Sequence, residues 1–217
     1  MEFTVSARKI PLSEIRKREL ERCQKFGIVR AYSDAHYEGM SDEQIMNCLR
    51  EIGECDKHAL DDLTAGQRKE LLIKFQRTRH LIIWGDNSTI LNHGHILYLI
   101  QCLYDPAFFY TPEEMKVRGY GDVDVAALVE RPHLHILGRC GSKEVEQLAY
   151  VETRQECLDC LPFQVETSDG VKVNDVMRFF HGDGPEQQFE SGEQRGGNAG
   201  CSACSGDSRR YRDLTYR

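Results

Sequence analysis

At 217 residues, with 40% hydrophobic and 29% charged side chains, the chain has the composition of a soluble globular protein with room for a buried core. The formal net charge of −7 excludes an evenly basic nucleic-acid coat, and no stretch approaches the roughly 18 uninterrupted apolar residues of a membrane span. Nine scattered cysteines, in a chain whose N-terminus lacks the order of a secretory signal, read as reduced thiols or metal ligands and point to a protein kept inside the cell.

The average charge hides a polarity. Residues 1–30 carry eight Lys/Arg against four Glu, whereas residues 31–66 carry two against nine acids. Basic side chains return in the last twelve residues, with Arg209, Arg210, Arg212 and Arg217 against Asp207 and Asp213. Such clusters are either solvated faces or phosphate contacts, and Arg16, Lys17, Arg209 and Arg210 are the candidates for the second role.

In chain order, Ser13 opens a helix running to Gly27, with Ile15, Leu20 and Cys23 on an apolar stripe. Ser41 with Gln44, and Thr64 with Gln67, form capping-box patterns ahead of two further helices, the first closed by Gly53. His80 to Asp86 is then a short apolar run rich in β-formers, a buried strand that places Asp86 at its end. His95 to Leu103 is a second strand, and the seven residues between Asp86 and Gly94 suit a hairpin. Residues 105–132, rich in Pro, Gly and acids around Phe108-Phe109-Tyr110, read as a long loop or inserted excursion. A third strand follows at His133 to Leu137, then a helix from Glu144 to Leu161 stopped by Pro162. After a turn at Ser168-Asp-Gly170 comes a fourth strand, Asp175 to Phe180, with a short helix expected from Pro185 to Glu190. The expected organisation is a helical region over 1–78, an α/β core over 79–190 and a Gly/Cys-rich, basic tail over 191–217.

Trp84-Gly85-Asp86 and His181-Gly182-Asp183 share one pattern, a strand followed by a small residue and an acid. The helix between the third and fourth strands permits the fourth to return parallel beside the first, which would bring Asp86 and Asp183 together. Two facing carboxylates are hard oxygen ligands for Mg²⁺ or Mn²⁺, ions that stabilise displacement at phosphorus. Each Asp could equally end its strand through turn hydrogen bonds.

The element order, Ile83-Trp-Gly-Asp86-Asn-Ser-Thr, and Val176-Met-Arg-Phe-Phe-His-Gly-Asp183-Gly-Pro-Glu-Gln-Gln-Phe-Glu190 leading to Cys201-Ser-Ala-Cys204 resemble the ribonuclease H-like catalytic core of the DDE/DDD cut-and-paste transposases. The nearest likeness is to the recombination-activating recombinase branch and related animal transposon proteins, and it covers roughly residues 79–205. The resemblance implies a partial ribonuclease H-like fold in β-β-β-α-β-α order with a mixed sheet. It also implies catalytic, Mg²⁺-binding roles for Asp86 and Asp183, DNA as partner, a homodimer as a further one, and a nuclear location in a eukaryote, otherwise cytoplasmic. The family's third acid has no match here, since Glu186, Glu190 and Glu193 follow the fourth strand directly. A truncated or degenerate copy, with weak or no turnover, is therefore the expectation.

Cys201 and Cys204 form half of a zinc site, which Cys157 and Cys160 could complete, although the latter pair falls on the expected helix. His93-Gly-His95 and His133-Leu-His135 read as hydrogen-bonded strand or turn residues in preference to a dinuclear metal centre, and His181, two residues from Asp183, as a phosphate contact. Against the nuclease reading stand two non-catalytic ones: a DNA-binding or interaction remnant, and a zinc-stabilised scaffold.

Overall fold

Helix signals written into short stretches of sequence appear where their chemistry requires. In the computed structural model, which describes residues 7–53, 57–90, 92–140, 150 and 158–181, Ser41 and Thr64 each accept from the backbone N–H of the Gln three residues on, while that Gln's side chain accepts from the cap's own N–H. These two boxes start α3 (Asp42–Ile52) and α5 (Ala65–Arg77), and Gly53, at φ 72°, closes α3 in the left-handed region. Before them lie β1 (Ala7–Lys9), α1 (Leu12–Lys25) and α2 (Asp34–Glu38), and between them α4 (Lys57–Asp61).

The β elements are β2 (Thr78–Ile90), β3 (His93–Cys102), β4 (His133–Arg139), β5 (Val165–Glu166) and β6 (Lys172–His181). They form one mixed sheet in the order β1-β4-β3-β2-β6-β5, with β6 parallel to β2 and the other pairings antiparallel. The parallel return of β6 beside β2 is thus present, supplied by the long crossover after β4. The first hairpin differs from expectation: Ile90 pairs with His93, so the strands extend past Asp86 and only residues 91 and 92 separate them. Asn92 turns the chain at φ 62°, a conformation its side chain tolerates.

Alternation along the strands assigns the faces. Leu81 and Ile83 of β2 and Ile96, Tyr98, Ile100 and Cys102 of β3 join Leu12, Leu20 and Cys23 of α1 in the main apolar core, so α1 packs with the sheet. A second cluster unites Tyr37, Ile45, Met46, Leu49, Ile52, Leu60 and Leu72 of α2 to α5. Each fully buried Leu there contributes about 1.5–3 kcal/mol. Residues 105–132 are no solvent excursion: they hold α6 (Pro112–Val117) and α7 (Val125–Val129), and Phe108, Phe109 and Tyr110 are buried.

Gly138 of β4 permits close approach of Tyr150, a buried residue of the crossover whose hydroxyl donates to the Arg139 carbonyl at 2.6 Å. A Cβ at Gly138 would lie 2.2 to 2.5 Å from the Tyr150 ring and hydroxyl, so ring or strand must move. Gly138→Ala is expected to cost about 1–3 kcal/mol in urea unfolding, the range of an overpacked core.

Candidate functional site

Asp86 lies inside β2, paired with Leu97 of β3, and not at the strand's end as expected. The ladder continues past it because backbone bonds to β3 are available to the polar residues Asn87, Ser88 and Thr89 whatever their side chains. Its carboxylate is half-buried and makes no hydrogen bond or ion pair with another described residue. On the neighbouring strand, the last described pair sets Trp84 opposite His181. Asp86 is two residues beyond Trp84 and Asp183 two beyond His181, but Asp183 lies outside the described residues. The same holds for Cys157, Cys201, Cys204, Arg209 and Arg210, and for the helix expected at 185–190.

Arg16 is a correction. Its guanidinium is buried, not offered to a phosphate: Nε donates to Asp175 at 2.6 Å, and the other nitrogens donate to the carbonyls of Cys160 and Phe163 at 2.7 Å each. Arg79, at the start of β2, reaches the same carboxylate through two bonds of 2.7 Å, and Asp175 is its register partner on β6. One buried carboxylate therefore ties α1 to both central parallel strands. Burial would raise its pKa, but the charge and hydrogen bonds of Arg79, with those of Arg16, outweigh this and hold it below the ordinary value. Lys17 stays exposed, 3.9 Å from Glu21 on its own helix, and Cys160 is half-buried with its thiol 3.6 Å from Arg16.

The histidines behave as strand residues. His93 Nδ1 meets Arg139 at 2.9 Å, His95 Nδ1 the His93 carbonyl at 2.9 Å, and His135 Nδ1 the Ile10 carbonyl at 2.8 Å. His133 stands 3.0 Å from Glu19 at a cleft of about 510 Å³ between α1 and β4, lined also by Ile15, Arg22 and Leu134. Burial of Glu19 is opposed by the nearby His133 and by the hydrogen bonds and charge of Arg22, which hold its carboxyl down to about 2. No group of three His, Cys, Asp or Glu side chains that could hold a metal occurs among the described residues.

Sequence reasoning missed the buried Arg16–Asp175–Arg79 group and a second polar chain, in which Arg178 Nε donates to His80 Nδ1 at 3.0 Å and His80 Nε2 faces Asp105 at 3.2 Å. A signal existed for the first: Asp175 follows Val173 and precedes Met177 at a period of two, a charge at an otherwise core-facing position. No helix among the described residues is long and apolar enough to cross a membrane. No family model matches the chain, and no curated protein matches it.

Proposed function

We propose that the chain is a DNA-processing core of the DDE/DDD transposase type, in which Asp86 and Asp183 hold Mg²⁺ or Mn²⁺ beside a DNA phosphodiester. The carrying observation is the run of β6 parallel to β2 with His181 level with Trp84, each two residues short of an acid. Supporting it is the mixed pairing of the central strands, with β3 antiparallel and β6 parallel to β2. A half-buried carboxylate at Asp86, with no partner among the described residues, suits a hard divalent ion.

When bound, such an ion neutralises phosphate charge and orients the attacking oxygen. The chain's own groups supply the rest: Asp86 and Asp183 fix the ion's place, and the exposed Lys17, with Arg209 and Arg210, attracts the DNA backbone. DNA is the partner on this reading, with a nuclear location in a eukaryote. Two acids are assigned and no third, so turnover is low. The Cys157, Cys160, Cys201 and Cys204 set is a separate zinc proposal, tested by zinc content and thiol protection.

The test is Mn²⁺ binding alongside Mn²⁺-dependent nicking of supercoiled DNA. Asp86→Asn is expected to weaken Mn²⁺ binding by at least about tenfold. Nicking is expected near background in both proteins. Binding unaffected by Asp86→Asn overturns the metal assignment, and robust nicking by the parent chain overturns the expectation of low turnover.

A further inference from the structure

The cleft between α1 and β4 has a volume of about 510 Å³, within the range of small-molecule sites, roughly 300–1,000 Å³. It opens on the α1 side of the sheet. His133 pairs with the core residue Ile100, whereas Asp86 pairs with Leu97, which alternates to the other face. A ligand in this cleft is therefore distinct from anything held at Asp86.

Spacings of three and four along α1 bring Ile15, Arg18, Glu19 and Arg22 to the side that meets β4, where Ile10 and Leu134 complete an apolar wall. Glu19 is the anchor. Its carboxylate side chain is only 6% exposed, and it accepts from Arg22 at 2.9 and 2.5 Å, while Arg22 also donates to the Leu128 carbonyl. On the other side of that carboxylate, His133 Nε2 stands 3.0 Å away and is itself buried, although the His133 side chain is 34% exposed. The exposed part of the ring thus lies away from Nε2, on the side that carries Nδ1, and Nδ1 bonds no described residue.

The charges that face this ring are those of the cleft lining: Glu19 and Arg22 beside it, with Arg18, Glu21 and Lys25 around the mouth. Three cations meet two acids. Arg18 is 3.3 Å from Glu14 and Glu21 is 3.9 Å from Lys17, whereas the exposed Lys25 forms no ion pair with a described residue. The uncompensated charge of the cleft is consequently positive and single.

We propose that this cleft binds a small organic carboxylate, with its apolar body on Ile10, Ile15 and Leu134 and its head between the Lys25 ammonium and the Nδ1 side of His133. A monoanion matches the single positive charge. With Nε2 turned to Glu19, Nδ1 donates to the ligand only when the imidazole carries both protons, and a carboxylate on each side of the ring favours that form. Binding therefore takes up a proton at His133. Glu19 makes no contact with the ligand and acts by holding His133 and Arg22 in place.

The full chain is titrated with 2-naphthoate, with acetate as a head without a body, and with 2-naphthalenemethanol as a body without the charge. Imidazole ¹H–¹⁵N resonances report the site, those of His133 being assigned by their loss in His133→Gln, and far-UV circular dichroism establishes that each variant is folded. Naphthoate is expected to saturate the His133 shift and to bind at least about threefold tighter at pH 6 than at pH 8, the interval in which imidazoles gain a proton. Acetate and the alcohol are each expected to bind at least about tenfold more weakly, for want of apolar burial and of charge-assisted hydrogen bonds respectively. Lys25→Gln and His133→Gln should each weaken naphthoate binding by at least about threefold, with the pH dependence lost in the second, while Lys74→Gln, exposed on α5, stays within about twofold. Absence of a saturable shift at about 10 mM naphthoate, where a Kd near 1 mM is visible, overturns the site. So does binding that leaves the His133 resonances in place. Equal affinity for the alcohol, indifference to Lys25→Gln, a flat pH profile in the parent, or an equal loss in Lys74→Gln overturns the assignment of the head. Each of these outcomes leaves Mn²⁺ binding at Asp86 to its own test.

Discussion

Asp175→Asn is expected to remove about 3–5 kcal/mol of stability, because it leaves the guanidinia of Arg16 and Arg79 buried without their counter-ion. The Asp175 side chain has 0% exposure and those of Arg16 and Arg79 have 3% and 2%, so water cannot take its place. The amide also brings an N–H₂ donor toward groups that are themselves donors only. For a chain of this length each kcal/mol shifts the melting temperature by roughly 2–4 °C, so a fall of about 10 °C is expected by calorimetry. Arg18→Ala, which removes an exposed pair with Glu14, serves as the control and should cost no more than about 1 kcal/mol. Equal losses in the two variants would show that the buried group does not hold the strands to α1.

A pH dependence follows from the same carboxylate and from Glu19. Both have folded-state pKa values held below their ordinary ones, that of Glu19 from 4.5 to about 2. Folded protein therefore binds fewer protons than unfolded protein as the medium becomes acidic. The stabilisation is complete above the unfolded pKa and is lost as pH falls through the folded one. Melting temperature should thus drop between pH 4.5 and about 2 in the parent chain. Asp175→Asn should flatten part of that limb.

Arg16 shows why some of this architecture was hidden in the sequence and some was not. Capping boxes at Ser41 and Thr64 join groups three residues apart, and the apolar stripe of α1 repeats within one helix, so both are legible locally. The carboxylate that binds Arg16 is 159 positions away, and a basic helix residue whose partner is that distant reads as a surface charge. Strand ends fail for a related reason: backbone pairing carries β2 on to Ile90 through polar residues that carry no hydrophobic signal. The order of the central strands was foreseeable, since a helix-length crossover favours a parallel return, but the bulge at Arg178, where Leu81 pairs with Met177 and Ile82 with Phe179, was not. An extra residue is visible only against the register of the strand beside it. Around the candidate site, the parallel run of β6 beside β2 was legible, whereas the place of Asp86 inside β2 and the polar groups Arg79, Asp175, His80 and Arg178 were not.

Phe108→Ala is expected to cost about 3–5 kcal/mol, although its segment reads as a polar excursion. Phe108 has 0% exposure and meets Phe109 edge to face, with ring centroids 4.6 Å apart at 84°. Phe109 in turn stacks on Tyr104. Backbone bonds lace this segment to the chain after α1: Arg30 N–H donates to the Phe108 carbonyl at 2.8 Å, and Tyr110 N–H donates to that of Ile28 at 2.9 Å. Beneath them the Arg30 side chain bonds Glu114 through both carboxylate oxygens and faces the Tyr110 ring. An alanine at 108 therefore opens a cavity whose walls are pinned on two sides and cannot collapse to fill it. Phe108→Leu, which keeps most of the volume, should cost less than about half as much. Val117→Ala, at a side chain 90% exposed in the same segment, should change stability by no more than about 0.5 kcal/mol. Urea unfolding of the three variants separates a core element from a covering loop, since a loop would give Phe108→Ala the small cost of Val117→Ala, and only a core would rank the three by the volume removed.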